Sequence, residues 1–501
     1  MRNPIRRLSL AVAAKLTIGK LPVSAQGASP VSPDLATFLA DSKQRYLTHI
    51  RENTSKMDEW TVVMGNEAGD LDSLASSIAF AWIQSEVHKK PTIPLIQTQR
   101  EDLALRAENQ FALELAGLTS PSEQLLFLND ISEFQPLPTH RFALVDHNRL
   151  GTPFSTDPDA TVVAVVDHHE DEGLYPNANP RIIAPCGSCA SHVAALCPSE
   201  VPAELATLLL TAILIDTNGL KPGGKAVTTD IHAAGFLAAR STISSKLPTK
   251  LVALLIDDPA STGKPDALYE AAAIRELTAA LAGKKEDVGH LGARDLLRRD
   301  YKEYTYTLEW ADDRPAVKAG LSSVPVSLEA WGLSISKEKG KKEKKDKNKD
   351  KKEEKEREKE REDEVEEAVV AWMKEREIGV LGVLTSFRDG SKPGKSGRGK
   401  HKREMAWVVY DAASTSSAGD DASLHVKLAT RLWKGLEDSA DIKVKKHKKI
   451  DLEKGNKLPP GATSRVYNQG NVAATRKVTA PLLKNILEAP SPTAAGKNEK
   501  K

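Results

Sequence analysis

Asp70 and Asp72 in GNEAGDLDS, Asp146 in LVDHN, Asp167 and His168 in VVDHH, and Asp216 in LIDTNG all fall in the first half of the chain. Each stands where an apolar run gives way to polar sequence, the point at which a strand or helix hands over to a loop. Hard divalent cations prefer carboxylate oxygens, and imidazole added to such a set suits Mn, Fe, Co or Zn as well as Mg. Carboxylates drawn together repel one another unless cations neutralise them. A site for two divalent metal ions is the chemistry this pattern points to. A single Asp after a strand is more often a hydrogen-bonded buried acid than a ligand, so the weight lies on four such motifs recurring in order.

Those side chains need elements to place them. WTVVMGNEAGDLDSLASSIAFAWIQ reads as strand, loop and helix: β-branched residues, a Gly-punctuated turn, then an Ala/Ser-rich run. TIPLIQTQ, HRFALVDHN and ATVVAVVDHHE are predicted to be further buried strands, and PAELATLLLTAILIDTNG an apolar helix ending near Asp216. Upstream, Ser32 or Asp34 is placed to cap a helix through SPDLATFLADSKQRYLTHI. Strands alternating with helices predict an α/β fold with a mostly parallel sheet flanked by helices. In such sheets ligands gather at the carboxyl ends of the strands, which is where the pairs Asp146–His147 and Asp167–His168 stand.

The order G-N-E-x-x-D-x-D-S, V-D-H-N, V-D-H-H and I-D-T resembles the DHH phosphoesterase superfamily, in its branch of exopolyphosphatases, prune proteins and manganese-type inorganic pyrophosphatases. The resemblance is close over about residues 60–225 and fainter beyond, where LRRDYKEY is similar to a D-x-K segment and TRKVTAPLL to an S-R-K-x-x-x-P segment. It implies that Asp70, Asp72, Asp146, His168 and Asp216 hold two divalent cations, Mg or Mn, with Asp146 between them. It implies that His147 and His169 line the substrate site, and that Lys302, Arg476 and Lys477 grip phosphate from an α+β DHH-associated domain closing over the metals. Asn66 stands where the pyrophosphatases carry His, a form similar to the exopolyphosphatases and prune proteins; with His147 and His169 it completes the expected catalytic set. One imidazole fewer predicts a shift from Mn towards Mg. Thr475 replaces the usual Ser, and Cys186 and Cys189 in CGSCASH match a segment that packs locally and needs no zinc.

The implied reaction is hydrolysis of terminal phosphoanhydride bonds of inorganic polyphosphate to orthophosphate, with a prune-like short-chain polyphosphatase or a pyrophosphatase as the alternative. Two further readings carry less. A single-strand exonuclease of the superfamily would have a G-G-H-x-x-A-A-G segment, which LKPGGKAVTTD does not match, and aromatic residues are only 5% of the chain. No nucleic-acid partner is expected. A non-catalytic scaffold would have lost its acids, and all are present.

The chain has 501 residues, 40% of them apolar, enough for two or three domains. Its net charge of +2 says little about partners, because the 28% of charged residues are unevenly spread. Residues 1–33 hold no acid and read as a targeting-like or disordered extension. A catalytic domain is expected over 34–245 and a second domain over 246–490, with charged low-complexity insertions at about 336–364 and 388–403 and a tail at 491–501. No segment has the roughly 20 apolar residues of a membrane helix, so no membrane association is expected. Three cysteines in one short stretch favour a reducing compartment, the cytoplasm, with mitochondria as the alternative. Oligomeric state is not legible in the sequence.

Overall fold

The computed structural model describes residues 34–490, apart from 53, 135, 153, 258–266, 334–363, 391–398, 411–423, 451, 453–457 and 460. The expected extension at 1–33, the tail at 491–501 and nearly all of the first charged insertion lie outside the described residues. The chain divides into two compact units, the first ending at Asp287 and the second beginning at Val288.

In the first unit, α1 (Leu35–Glu52) opens with Asp34, whose Oδ1 accepts from the Thr37 amide at 2.7 Å, the cap anticipated from sequence. Six strands follow: β1 (Thr61–Met64), β2 (Thr92–Ile96), β3 (Leu126–Phe127), β4 (Arg141–Val145), β5 (Thr161–Asp167) and β6 (Arg181–Ile183). They form one sheet in the order β3-β2-β1-β4-β5-β6, every pairing parallel. Both faces are covered: Val63 and Val145 pack into one apolar cluster, while Val62, Met64, Phe142 and Leu144 pack into another on the opposite side. That is why these strands read as continuous apolar runs rather than alternating ones. The strand order reverses between β1 and β4, and at such a switch point the two following loops turn apart and open a crevice at the carboxyl ends. Between β1 and β2 runs α2 (Leu71–Trp82), buried along its whole length. Beyond the sheet lie α3 (Cys189–Ala194), α4 (Ala203–Thr217), α5 (Thr228–Arg240) and α6 (Ala272–Glu286).

The domain boundary expected near residue 245 falls instead at Asp287. Leu255, Leu268, Ile274, Leu277 and Leu281 bury their side chains in the same apolar cluster as α2 and α4. The change of rhythm in the sequence marks a switch from sheet-covering to helix-covering packing, not a new domain.

The second unit is built on β7 (Tyr301–Thr307), β8 (Ala316–Val324), β9 (Val380–Thr385), β11 (Lys400–Tyr410), β12 (Val444–Lys446) and β13 (Ala462–Gln469), ordered β12-β13-β11-β9-β8-β7, with β10 (Phe387–Asp389) paired to β11. Only β8 and β9 run parallel; the other pairings are antiparallel. A helix over 364–376 covers one face, and α7 (Leu424–Asp438) and α8 (Arg476–Glu488) cover the other. The charged insertion expected over 388–403 needs correction at both ends. Phe387, Arg388 and Asp389 pair with Lys402, His401 and Lys400 as a β-ladder, and Lys402 forms an ion pair with Asp389. Charges at alternate positions suit a strand with a solvated face, a pattern that composition alone does not distinguish from disorder.

Candidate active site

The crevice between β1 and β4 is floored by Asn66 and Asp146, each two residues beyond the paired Met64 and Leu144. Asn66 Nδ2 donates to Asp146 Oδ2 at 2.7 Å and to its backbone carbonyl at 3.2 Å, and Ser73 Oγ donates to the same carboxylate oxygen at 2.6 Å. Asp146 has φ +60°, a left-handed conformation that Asp and Asn tolerate better than most residues, and this turn aims its carboxylate across the strand ends. Its other oxygen, Oδ1, lies 3.3 Å from His168 Nε2 and 3.7 Å from His169 Nδ1.

Asp70 caps α2, accepting the Ser73 amide through Oδ1 at 3.1 Å. Asp72 sits in the first turn of that helix, 2% exposed. Its carboxylate accepts from Ser188 Oγ (2.8 Å) and from the amides of Cys189 (2.7 Å) and Ala190 (2.8 Å) at the start of α3. His168 Nε2 is 3.9 Å from Asp72 Oδ2. The glycine-punctuated turn that sets α2 in place is clamped from outside, Gln97 Nε2 donating to the Gly65 carbonyl and Asn109 Nδ2 to that of Gly69. Gly65 admits no side chain, since a Cβ there would fall 2.5 Å from Ser73 Cβ.

The three imidazoles are oriented in one way. His168 Nδ1 faces the Cys186 carbonyl at 3.1 Å, His147 Nδ1 the Val145 carbonyl at 2.9 Å, and His169 Nδ1 the Asp167 carboxylate at 2.8 Å. A carbonyl or ionised carboxylate can only accept, so each Nδ1 carries the proton and Nε2 is the basic nitrogen of the neutral ring. Asp167 is fully buried; burial alone would raise its pKa, but the hydrogen bond and charge of His169 and the bond from Asn148 Nδ2 (2.6 Å) bring it down to about 2. Asp167 is therefore an orienting carboxylate. Asp146, His168 and His169 each place a donor atom within 4.8 Å of the others. With His169 Nδ1 engaged by Asp167, the pair with atoms to spare for a cation is Asp146 and His168, and His169 Nε2 is left for a ligand.

The electrostatics describe a place short of positive charge. Burial, then the neighbouring charge of Asp146, raises Asp72 to about 7; burial and Asp70 raise Asp146 to about 6; burial and Asp72 raise Asp216, near the end of α4, to about 7. Burial pulls His168 down, yet its bond to Asp146 and the charges of Asp72 and Asp146 hold it near 11. Asp72 thus feels Asp146 and Asp70, Asp146 feels Asp70, and Asp216 feels Asp72 and Asp70, with His168 partly offsetting the first two; a divalent cation would relieve the repulsion among these acids. The donor set of carboxylates and one imidazole fits Mg or Mn.

Reading the sequence missed the residues that hold these groups. Asp230, fully buried on α5, accepts from the amides of Gly187 (2.8 Å), Ser188 (3.3 Å) and Val227 (2.8 Å) and from Ser191 Oγ (2.6 Å). It fixes the loop whose next residues clasp Asp72. Val at the N-cap position of V-T-T-D offers no side-chain acceptor, so the sequence carried no capping box, and nothing local marked the distant partners of Asp230. Asn148 was likewise missed; besides Asp167 it bonds the Glu170 carbonyl at 2.9 Å and the Glu172 amide at 3.1 Å.

In the second unit the two basic segments meet. Arg476, first residue of α8, donates to Asp300 Oδ1 at 2.8 Å and to its carbonyl at 2.9 Å, which ties the start of α8 to the residue just before β7, the strand that carries Lys302. Thr475 caps the helix, its hydroxyl accepting the Lys477 amide at 3.3 Å. Lys477 is exposed and Lys302 half-buried.

A doubly covered parallel sheet with acids and imidazoles at its switch point defines a class of α/β proteins built to hold charged ligands there. The chain belongs to the DHH family: residues 60–213 match the DHH family N-terminal domain and residues 279–486 the DHHA2 domain. A Schizosaccharomyces pombe protein named "Putative exopolyphosphatase" is 31% identical over 291 residues, 54% of this chain and 67% of that one. "Exopolyphosphatase PRUNE1" of Rattus norvegicus is 28% identical over 298 residues, 57% of each chain. "Probable manganese-dependent inorganic pyrophosphatase" of Enterococcus faecalis is 28% identical over 187 residues, 35% of this chain and 54% of that one. The chain thus spans between about half and two thirds of the length of these relatives.

Proposed function

We propose that the protein is a metal-dependent exopolyphosphatase that hydrolyses terminal phosphoanhydride bonds of inorganic polyphosphate to release orthophosphate. The observation that carries this reading is the meeting of Asp146, His168 and Asp72 at the β1/β4 switch point, within the electrostatic reach of Asp70 and Asp216. Asp70, Asp72, Asp146, His168 and Asp216 would hold two divalent cations, Mg or Mn. When bound, such cations supply activated water and offset the charge that develops on phosphoryl oxygens.

The chain's own groups do the rest. Cys186 and Asp146 hold His168 between them, so its Nε2 is aimed before any ligand arrives. His169, oriented through Nδ1 by Asp167, presents Nε2 to the substrate, either to donate to a phosphate oxygen or to protonate the leaving one. His147, held by the Val145 carbonyl, lines the same crevice. Asn66 acts through Asp146: its amide occupies Oδ2 and leaves Oδ1 to face the imidazoles. Lys302, Arg476 and Lys477 are proposed to bind phosphate groups of the substrate, Arg476 with a guanidinium that can make paired contacts and the lysines as point charges.

All three cysteines are free thiols, which supports a reducing compartment and the cytoplasm as the site of action. Among the described residues no helix is long and apolar enough to cross a membrane. Orthophosphate release from long polyphosphate, tripolyphosphate and pyrophosphate, each with Mg and with Mn, tests the reading. Turnover of long chains is expected; hydrolysis of pyrophosphate alone would assign the protein to the pyrophosphatase side of the family.

A further inference from the structure

The second unit carries a feature that the reaction does not use. Residues 443–449, KVKKHKK, hold five lysines and no acid, and Lys443, Lys445, Lys446, Lys448 and Lys449 are all exposed. They lie on and at either end of β12, which ends the order of strands and, among the described residues, pairs on one side only, with β13. Among the described residues no ion pair engages Lys443, Lys445, Lys446 or Lys448. The one basic side chain of the run other than lysine, His447, is turned inward: its Nδ1 accepts the Ile450 amide at 2.8 Å, and its Nε2 lies 3.8 Å from Glu404. Arg403 stands two strands in, on the row Val444–Gln469–Arg403, about 10 Å from the edge. Asp441, exposed just before the run, is the one acid adjoining it among described residues 439–450.

We infer that this lysine edge is a docking track for a polyanion chain, and that its occupant is inorganic polyphosphate. The choice of polyanion rests on the function proposed above; the track itself rests on the sheet edge and its charge. Two observations favour polyphosphate over nucleic acid. The run carries no Phe, Tyr or Trp, its His447 is turned inward, and Tyr467, the partner of Lys446 across the ladder, is fully buried, so among the described residues of this edge no stacking platform for bases is seen. The charges are all lysine, point charges without the planar fork that reads fixed phosphate geometry, which suits a uniform and flexible chain. Of residues 443–449 only Val444–Lys446 is strand, and the whole run reaches at most about 25 Å, more than pyrophosphate spans and a small part of a long chain. The track therefore discriminates by length.

The test compares the full-length protein with a variant combining Lys445→Gln, Lys446→Gln and Lys448→Gln, and with the corresponding triple Lys→Arg variant. Binding of end-labelled long-chain polyphosphate is followed by fluorescence anisotropy in EDTA, and orthophosphate release is followed with Mg or Mn. The Gln variant is expected to bind long chains about tenfold more weakly and to show a similar rise in KM for them. Its kcat, its KM for tripolyphosphate and its Tm should be unchanged, its affinity should depend less on salt, and the Arg variant should behave as wild type. Equal affinity of the Gln variant and wild type for long polyphosphate overturns the inference. So does a loss confined to single-stranded DNA, or self-association with polyphosphate affinity intact, which would make the lysines guards of an exposed sheet edge. Lysine-dependent binding without turnover would leave the track standing and remove the proposed activity.

Discussion

Asp146 combines three properties that few residues could: a carboxylate, a left-handed backbone and two oxygens with separate tasks. Asn keeps the backbone preference and much of the shape but not the charge. Asp146→Asn is therefore expected to leave the fold intact by circular dichroism while lowering kcat by more than about 100-fold, beyond the scale of outer-shell changes. Asn148 acts at one remove, through Asp167 to His169. Asn148→Ala should cost about 10–100-fold in kcat with little change in bound metal, measured by elemental analysis and steady-state kinetics. At this scale the charged participants were legible because their chemistry is unusual at a strand end. Asn148, Ser73 and Asp230 were not, because an amide, a hydroxyl and one more acid become informative only once their partners, up to 73 residues away for Ser73 and Asp146, are in place.

The elements owe their arrangement to hydrogen bonds that cross between them. Asp230 ties the start of α5 to the loop before α3, and that loop clasps Asp72 on α2. Asp230→Ala strands four donors in a buried site and is expected to cost about 3–5 kcal/mol in denaturant unfolding. Gly187 belongs to the same junction: a Cβ there would meet Thr217 Cγ2 at 2.6 Å and Asp230 Oδ2 at 2.8 Å, so Gly187→Ala should destabilise and lower activity together. Four of the six parallel strands, β1, β2, β4 and β5, and the helix ending near Asp216 could be read directly, since runs buried on both faces have no polar alternation to confuse them; the short β3 and the half-buried β6 were not read. The β10–β11 ladder was hidden because its solvated charges look the same in a strand as in a spacer. The helices up to Glu286 were assigned to the wrong domain because sequence gives their apolar faces but not the core those faces meet.

For the whole molecule, burial first and neighbouring acids second raise the carboxyls of Asp72, Asp146 and Asp216, so folding the metal-free chain buries like charges near one another. A cation that binds the folded site and not the unfolded chain should stabilise by about 2.7 kcal/mol at 100 times its Kd. Added Mn or Mg is thus expected to raise Tm by several degrees, EDTA to reverse it, and Asp146→Asn to blunt it, all readable by scanning calorimetry. The most direct measurement is orthophosphate release from long-chain polyphosphate by the purified, metal-loaded chain beside its Asp146→Asn variant. Steady release by the wild type, with the variant below about 1% of it, is expected. Equal release by both, or none from any phosphoanhydride with either metal, would contradict a metal-dependent hydrolase at the β1/β4 crevice.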